Sequence, residues 1–429
     1  MTARHLLIVF ASAVCAFSSI AGFYRVEKDS NGVWRVISPD GAPVVMRGVD
    51  YVNWRGQGCW RVKPPRFRYR EHNETSYVNR AEWENETLGR LRDWGFNLLG
   101  VGSDRSLENR GMAHVRILTV GRSFMKGGDS DRWICPDMQR PGSSFPNVFH
   151  PEFATWCDRR AAEICAPERD SENLFGYFLD NELAWRGKGS RKDGLFQSVR
   201  ALPETHSAKK HMQNWAKRRG IDLSGVSERD VEDFNQELAE AYFGTAVAAI
   251  RRHDPNHLVL GARFAGAGNP PDAAWVAAGR HCDVLSFNSY PHYDAQKDVF
   301  RNFRSPYSQS IDVAYGGRWR LAGGPPLMIT EWSFPALDAG LPCTRGAGHR
   351  MKTQRERSEV SGKYVQALAK MPFVVGYCYF MWTDQPPEGV SDSFPENSNY
   401  GLVSATGKPY AELTAEFTRV QKAKGEMHE

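Results

Sequence analysis

Eight short apolar runs punctuate the chain, and helical patterns alternate with them. The runs are PVVMRGVDYVN (43–53), FNLLGVGS (96–103), HVRILTVGRSF (114–124), NLFGYFLDNE (173–182), HLVLGARF (257–264), DVLSFNSYP (283–291), PLMITEWSF (326–334) and FVVGYCYFMWTD (373–384). Their hydrophobicity is nearly continuous, as in parallel strands covered on both faces. Between the first two, RAEWENETLGRLRDWG (80–95) spaces Trp83, Leu88, Leu91 and Trp94 at helical intervals and stops at Gly95. DFNQELAEAYFGTAVAAIRRHDPN (233–256) is a long amphipathic pattern ended by Asp-Pro-Asn. QRERSEVSGKYVQALAKM (354–371) precedes the last run, and PYAELTAEFTRVQKA (409–423) follows it. Strands alternating with helices eight times predict an α/β fold, a (β/α)8 TIM barrel. A doubly wound open sheet is the other solution. Its dinucleotide-binding version needs G-x-G-x-x-G after the first strand, and none is present.

At 429 residues the chain accommodates one barrel-sized domain with excursions. The first residues read differently from the rest. Arg4 and His5 precede the apolar LLIVFASAVCAF, and SSIAG offers small residues for cleavage after Ala21. We expect a signal peptide over 1–22 and a single barrel with long βα loops over 23–429, in a secreted or periplasmic protein. The leader is too short for a comfortable membrane span, and no other stretch is long and apolar enough, so no membrane association is expected after its removal. A net charge of only +5 gives no footprint for a nucleic-acid partner. Seven cysteines lie beyond the leader, so at least one thiol stays unpaired within a monomer. No C-x-x-C pair suggests structural zinc, and no metal or cofactor is expected.

Barrel active sites form at the C-terminal ends of the strands. The fourth run ends in Asp180, Asn181 and Glu182, the sixth in Asn288, Ser289, Tyr290, Pro291 and His292, the seventh in Thr330, Glu331 and Trp332, and the eighth in Trp382, Thr383 and Asp384. The first offers Asp50 and Asn53, and the fifth Arg263. The fourth and seventh strands of a barrel face each other across its mouth. Two carboxylates so placed suit glycosidic cleavage, in which one protonates the leaving oxygen while the other attacks or activates water. A single strand-end Glu is more simply an ion-pair member; two, one after Asn and one before Trp, favour chemistry. An aromatic share of 12% suits a carbohydrate site, although core packing explains it equally well.

DNE on the fourth run and ITEW on the seventh resemble the acid/base and nucleophile signatures of clan A glycoside hydrolases. Within that clan, FGYFLDNELAW and YFMWTDQPPEGVSDSFPENSNYGLVSATGKPY are most similar to family 50, the β-agarases. The resemblance implies that Glu182 is the acid/base and Glu331 the nucleophile. It further implies that Asn181 contacts a sugar hydroxyl, Tyr290 supports Glu331 and Trp382 floors a sugar subsite. Asn288, His292 and Trp332 stand at the same rim as candidate substrate contacts. Partial desolvation is expected to keep Glu182 protonated near neutrality. Family members often carry a large N-terminal carbohydrate-binding region; here the first strand follows soon after the leader, which leaves the substrate open. The expected partner is a polysaccharide or oligosaccharide, with the oligomeric state undetermined.

Other motifs carry less. His281, Cys282 and Asp283 are adjacent and point to opposite faces of a strand, so they make a poor metal cluster. H-E-x-x-H and G-x-S-x-G are absent. RVKPPRFRYREHNE (61–74) reads as a first βα loop whose Arg61, Lys63, Arg66, Arg68 and Arg70 either bind sulfated galactan or pair with acids such as Glu71 and Glu74; Phe67 and Tyr69 would stack on sugars in the first case. The alternatives to a galactan-cleaving retaining hydrolase are an exo-acting β-galactosidase and a barrel that binds carbohydrate without catalysis.

Overall fold

The computed structural model describes residues 22–136, 144–187, 194–267, 270–303, 305 and 307–422; the expected leader lies, apart from Gly22, outside them. Its centre is a nine-stranded, all-parallel sheet. The strands are β1 (Met46–Val49), β2 (Leu98–Leu99), β3 (Ala113–Ile117), β4 (Leu174–Phe178), β5 (Leu258–Val259), β6 (Phe264–Ala265), β7 (Leu285–Asn288), β8 (Leu327–Glu331) and β9 (Val374–Tyr379). The hydrogen-bonded order is β5-β4-β3-β2-β1-β9-β8-β7-β6. The two edge strands, β5 and β6, are thus halves of one predicted strand, broken at Gly261 (φ +80°) and Arg263 (φ +44°). Across the break, Leu179 N donates to Gly261 O at 2.9 Å on one side, and Arg263 N to Ser286 Oγ at 3.0 Å on the other. The sheet is therefore curled in the manner of a TIM-type barrel, with its ladder interrupted where the edges meet.

Curling sorts the side chains into two cores. An inner cluster takes Met46, Leu98, Val115, Phe175, Leu258, Val284, Met328 and Val375 from successive strands. A larger outer cluster packs the alternate positions against the helices, including Trp83 and Leu88 of Arg80–Asp93, Phe234 and Tyr242 of Glu228–His253, Tyr364 of Gln354–Ala369 and Phe417 of Ala411–Lys422. The helix starts are capped as their sequences dictate. Asn79 accepts from Glu82 N, Ser227 and Asp230 form a capping box, and Thr353 accepts from Glu356 N.

Two differences from the expected layout stand out. A three-stranded antiparallel sheet, Arg25–Lys28, Trp34–Ile37 and Pro43–Val44, precedes β1. Trp34 N bonds Pro372 O and its indole bonds Gly324 O, both just ahead of β9 and β8, so this sheet covers the end of the barrel opposite the expected site. Second, the basic stretch after β1 is not all loop: Arg68–Ser76 is a helix. No helix among the described residues is long and apolar enough to cross a membrane.

Candidate active site

The tip of β4 divides its three polar residues between two sides. Asp180 is wholly buried and accepts from Gly121 N (2.7 Å), Arg122 N (3.0 Å) and Tyr242 Oη (2.6 Å). Burial pushes its pKa up to about 6 against those bonds, so it anchors the strand end in the outer layer. Asn181 and Glu182 turn the other way. Glu182 has φ +50°, a left-handed conformation costly for a residue with a Cβ, and its N–H donates to Arg263 O at 3.1 Å. Arg263 and Tyr51 (φ +57°) share that conformation at other strand ends. Strain of about 1–3 kcal/mol each, held by surrounding contacts, is a recurrent feature of functional sites.

Arg263 is the hub. Its side chain is 1% exposed; Nε donates to Asn181 Oδ1 (2.7 Å), and Nη2 to Asp50 Oδ2 (2.9 Å) and Glu331 Oε1 (2.6 Å). One guanidinium thereby ties together the tips of β1, β4 and β8. Burial alone disfavours its charge, but the Asp50 and Glu331 carboxylates reverse the balance and raise its pKa. Asp50 is fixed from below by Val101 N at 3.0 Å. Gly100 makes room for it, since a Cβ there would lie 2.0 Å from Asp50 Oδ1. Burial, outweighing the pull of Arg263, lifts the Asp50 carboxyl to about 7.

Both oxygens of Glu331 are held, Oε1 by Arg263 and Oε2 by Tyr290 Oη at 2.9 Å. Burial and the charge of Glu331 keep Tyr290 a phenol. Glu182 Oε1 accepts from Asn288 Nδ2 at 2.9 Å; Asn288 also reaches Asn181 (3.2 Å) and is itself fixed by Thr330 Oγ1 (2.9 Å). Burial, then repulsion from Glu331, raises Glu182 to about 7, with the Asn288 bond and Arg263 opposing. The arrangement supplies a carboxylic acid able to give a proton near neutrality and a carboxylate oriented by two donors.

Of the residues expected here, Asn181, Glu182, Asn288, Tyr290 and Glu331 come together. His292 lies beside them: its ring packs on His349 (centroids 3.8 Å apart), and the two line a cavity of about 300 Å³ with Tyr290, Pro291, Gly348 and Arg350. Trp382 and Trp332 do not join them, which corrects the expected sugar floor. Trp382 is wholly buried, donates from Nε1 to Tyr69 Oη (2.9 Å) and packs near Trp94. Trp332 is wholly buried against Tyr364, Tyr379 and Phe417 in the outer core. Phe380, Tyr51 and Tyr400 instead cluster with Tyr290.

Three residues of this region went unassigned in the sequence. Arg263 stood at a strand end without a role. Glu396 accepts from Gln385 Nε2 at 2.7 Å and lies close enough for its charge to act on Tyr290 and Glu182. Trp60, in the segment after β1, is 53% exposed and its N–H bonds Val390 O at 2.7 Å.

The basic stretch takes its acid-paired form. Arg61 pairs with Asp392 (2.9 Å), Arg66 with Glu71 (3.0 Å), Arg68 with Glu388 and Arg70 with Glu74 (3.4 Å). Phe67 and Tyr69 are buried and offer no stacking face. Among the described residues, Glu108, His114 and Glu168 form a grouping with metal-ligand spacing, but Arg116 already bridges the two carboxylates. Cys59, Cys157, Cys165, Cys282, Cys343 and Cys378 are buried free thiols.

No family model matches the chain. It is 25% identical to β-agarase B of Vibrio sp. (strain JT0107) over 418 residues, 87% of this chain and 40% of that protein. It is 28% identical to β-agarase A of the same strain over 379 residues, 79% of this chain and 36% of that protein. The chain thus spans less than half the length of these curated relatives. A solved exo-β-agarase superposes with a TM-score of 0.76 at 20% identity, over 94% of this chain and 64% of that one, a likeness of fold. The similarity to β-agarases carried by DNE and ITEW therefore extends along most of the chain.

Proposed function

We propose that this chain is a retaining glycoside hydrolase of β-agarase type, acting on a galactan on a (β/α)8 barrel interrupted at its fifth strand. The observation that carries the reading is the pair Glu182 and Glu331, joined through Asn288, Asn181 and Arg263. Similarity to two β-agarases supplies the substrate class. In the first step Glu331 attacks the anomeric carbon while Glu182 gives its proton to the departing glycosidic oxygen. The carbon–oxygen bond of the substrate breaks, and a glycosyl ester to Glu331 forms. In the second step Glu182, now a carboxylate, takes a proton from water; the water oxygen bonds the anomeric carbon, and Glu331 leaves. Retention requires the two carboxyls at roughly 5–5.5 Å. Tyr290 and Arg263 orient Glu331 and balance its charge as the ester forms and breaks.

Asn181 and Asn288 contact sugar hydroxyls in this reading, and His292 borders the adjoining cavity. Trp60 takes the stacking role that the buried Trp382 and Trp332 do not offer, at a more distant subsite. Residues 1–22 act as a secretion signal ahead of a single catalytic domain, 23–429, which meets its polysaccharide outside the cytoplasm.

The test is rescue. Glu182→Ala should lose turnover of agarose, retain glycosylation from an aryl β-glycoside with a good leaving group, and regain turnover with azide, which needs no base. Glu331→Gln should stay inactive with azide. Wild-type turnover of agarose by Glu182→Ala, or no turnover of any β-galactan by the wild type, contradicts the reading. The second outcome is what a non-catalytic binding barrel gives.

A further inference from the structure

The segment after β9 folds back over the cleft as a rigid rack. Asp384 accepts from Asn399 Nδ2 (2.8 Å) and Gly401 N (2.9 Å), while the buried Arg357 holds Asn399 Oδ1 and Gly401 O. Gln385 then clasps the returning strand: its Oε1 accepts from Ser398 N at 3.0 Å, and its Nε2 donates to Glu396 Oε2 at 2.7 Å. Val390 N bonds Glu396 O at 3.1 Å, closing the loop between them. The rack fixes one side-chain oxygen of Glu396. Its other oxygen, Oε1, has no hydrogen-bond or ion-pair partner among the described residues.

A half-buried carboxylate beside two others needs an explanation. Its neighbours are charged or polar on every side. Glu331 comes from β8, Glu182 from β4, Tyr290 from the segment after β7, and Tyr400 from its own segment; Arg263 and Asp50 lie beneath Glu331, and Arg350 faces Glu396 from the 343–351 loop. Arg350 does not pair with it, because its own donors serve Cys343 O, Gly348 O and Gly346 O. If Glu396 served only to hold Gln385, an amide would do so without burying a repelled charge. An ionised acceptor is what sugar hydroxyls bind most strongly, since O–H···O⁻ bonds are shorter and roughly twice as strong as neutral ones.

We propose that Glu396 is a third cleft carboxylate that binds hydroxyls of the sugar being cleaved through its open Oε1 and positions that sugar between Glu182 and Glu331. This rests on the glycosidase reading above. It also specifies a neutral, hydroxyl-bearing sugar unit, because four carboxyls, Asp50, Glu182, Glu331 and Glu396, outnumber the two guanidiniums beside them among the described residues: Arg263, spent on Asn181, Asp50 and Glu331, and Arg350, spent on backbone carbonyls.

Glu396→Gln and Glu396→Asp separate charge from shape, with agaro-oligosaccharide as the probe. Glu396→Gln is expected to lower kcat/KM about tenfold to a hundredfold, the size of a hydrogen bond to a charged group. Glu396→Asp, which keeps the charge, should recover part of the loss. A residue that only braced Gln385 would leave the affinity for oligosaccharide unchanged. Here the alkaline limb of kcat/KM in Glu396→Gln should shift to lower pH, because a charge that opposes ionisation of Glu182 is gone. Calorimetric binding of the oligosaccharide to Glu331→Gln should weaken by a similar factor when Glu396→Gln is added. Wild-type kcat/KM with an unmoved limb overturns the proposal and leaves the glycosidase reading standing. Equal losses in the Gln and Asp variants also overturn it, because charge is then not what is used. A wild-type protein inert on every β-galactan overturns both.

Discussion

The protonation state of Glu182 can be tested without any substrate, through stability. In the fold its carboxyl is raised from the ordinary 4.5 to about 7, by burial and then by Glu331. Below pH 4.5 the group is protonated in both folded and unfolded chains and makes no difference. Between 4.5 and 7 the unfolded chain releases the proton and the folded chain keeps it, so stability falls as pH rises. Above 7 the full penalty is present. A gap of about 2.5 in pKa, at about 1.4 kcal/mol for each, gives about 3 kcal/mol. Glu182→Gln removes the titration and keeps the carbonyl that accepts from Asn288 Nδ2. The variant should therefore gain about 3 kcal/mol relative to wild type on going from pH 4 to pH 8, although Asp50 titrates in both proteins. Urea unfolding of the two proteins at a series of pH values measures this difference, with Asp50 cancelling. A difference that does not change with pH, or one that favours the wild type at pH 8, refutes the raised pKa and with it the assignment of Glu182 as the acid.

Arg263→Ala should destabilise by about 3–5 kcal/mol, because it strands the buried Asp50 and Glu331; Arg263→Lys should fold better yet lose turnover, since one ammonium cannot serve Asn181, Asp50 and Glu331 together, and unfolding midpoints with kcat check both. Trp60→Ala should raise KM for agarose severalfold while leaving kcat on a short aryl glycoside unchanged, as steady-state kinetics on the two substrates will show. Reversing Arg66 and Arg68 together should change affinity for sulfated and unsulfated galactan equally, because both arginines already pair with acids of this chain; binding to the two polymers at low and moderate salt measures it.

Much of the site was legible because strands declare their ends. Apolar runs stopping in DNE and ITEW marked the tips of β4 and β8, and the structure brings Glu182 and Glu331 to one cleft through Arg263 and Asn288. The tryptophans escaped for two reasons. Adjacent strand residues face opposite ways, so Trp332 beside an inward Glu331 turns to the outer core. Trp382 lies beyond the end of β9, where alternation no longer holds: Phe380, two residues earlier, packs with Tyr290, yet Trp382 joins the outer core. The N-terminal hairpin went unread, although Asn31 and Gly32 sit between Arg25–Lys28 and Trp34–Ile37 as a turn signal. Other features carried no such signal. Arg263 owes its reach to a positive φ inside a predicted strand, which periodicity does not reveal. The basic stretch meets Glu388 and Asp392, and Glu396 meets the cleft, only because the segment after β9 folds back; such contacts between distant parts of the chain leave no local pattern.

The most direct test of the account is to trap the ester on Glu331. A 2-deoxy-2-fluoro-β-galactoside with a dinitrophenyl leaving group should glycosylate the enzyme and then be released slowly, because the fluorine destabilises both oxocarbenium-like transition states while the good leaving group speeds only the first step. Mass spectrometry of the digested protein should find one added fluorogalactosyl group on the peptide that contains Glu331, with the label absent in Glu331→Gln. A label on Glu182 or Glu396, or an enzyme that turns over agarose and is never labelled while its products first appear as the α anomer, would contradict the account.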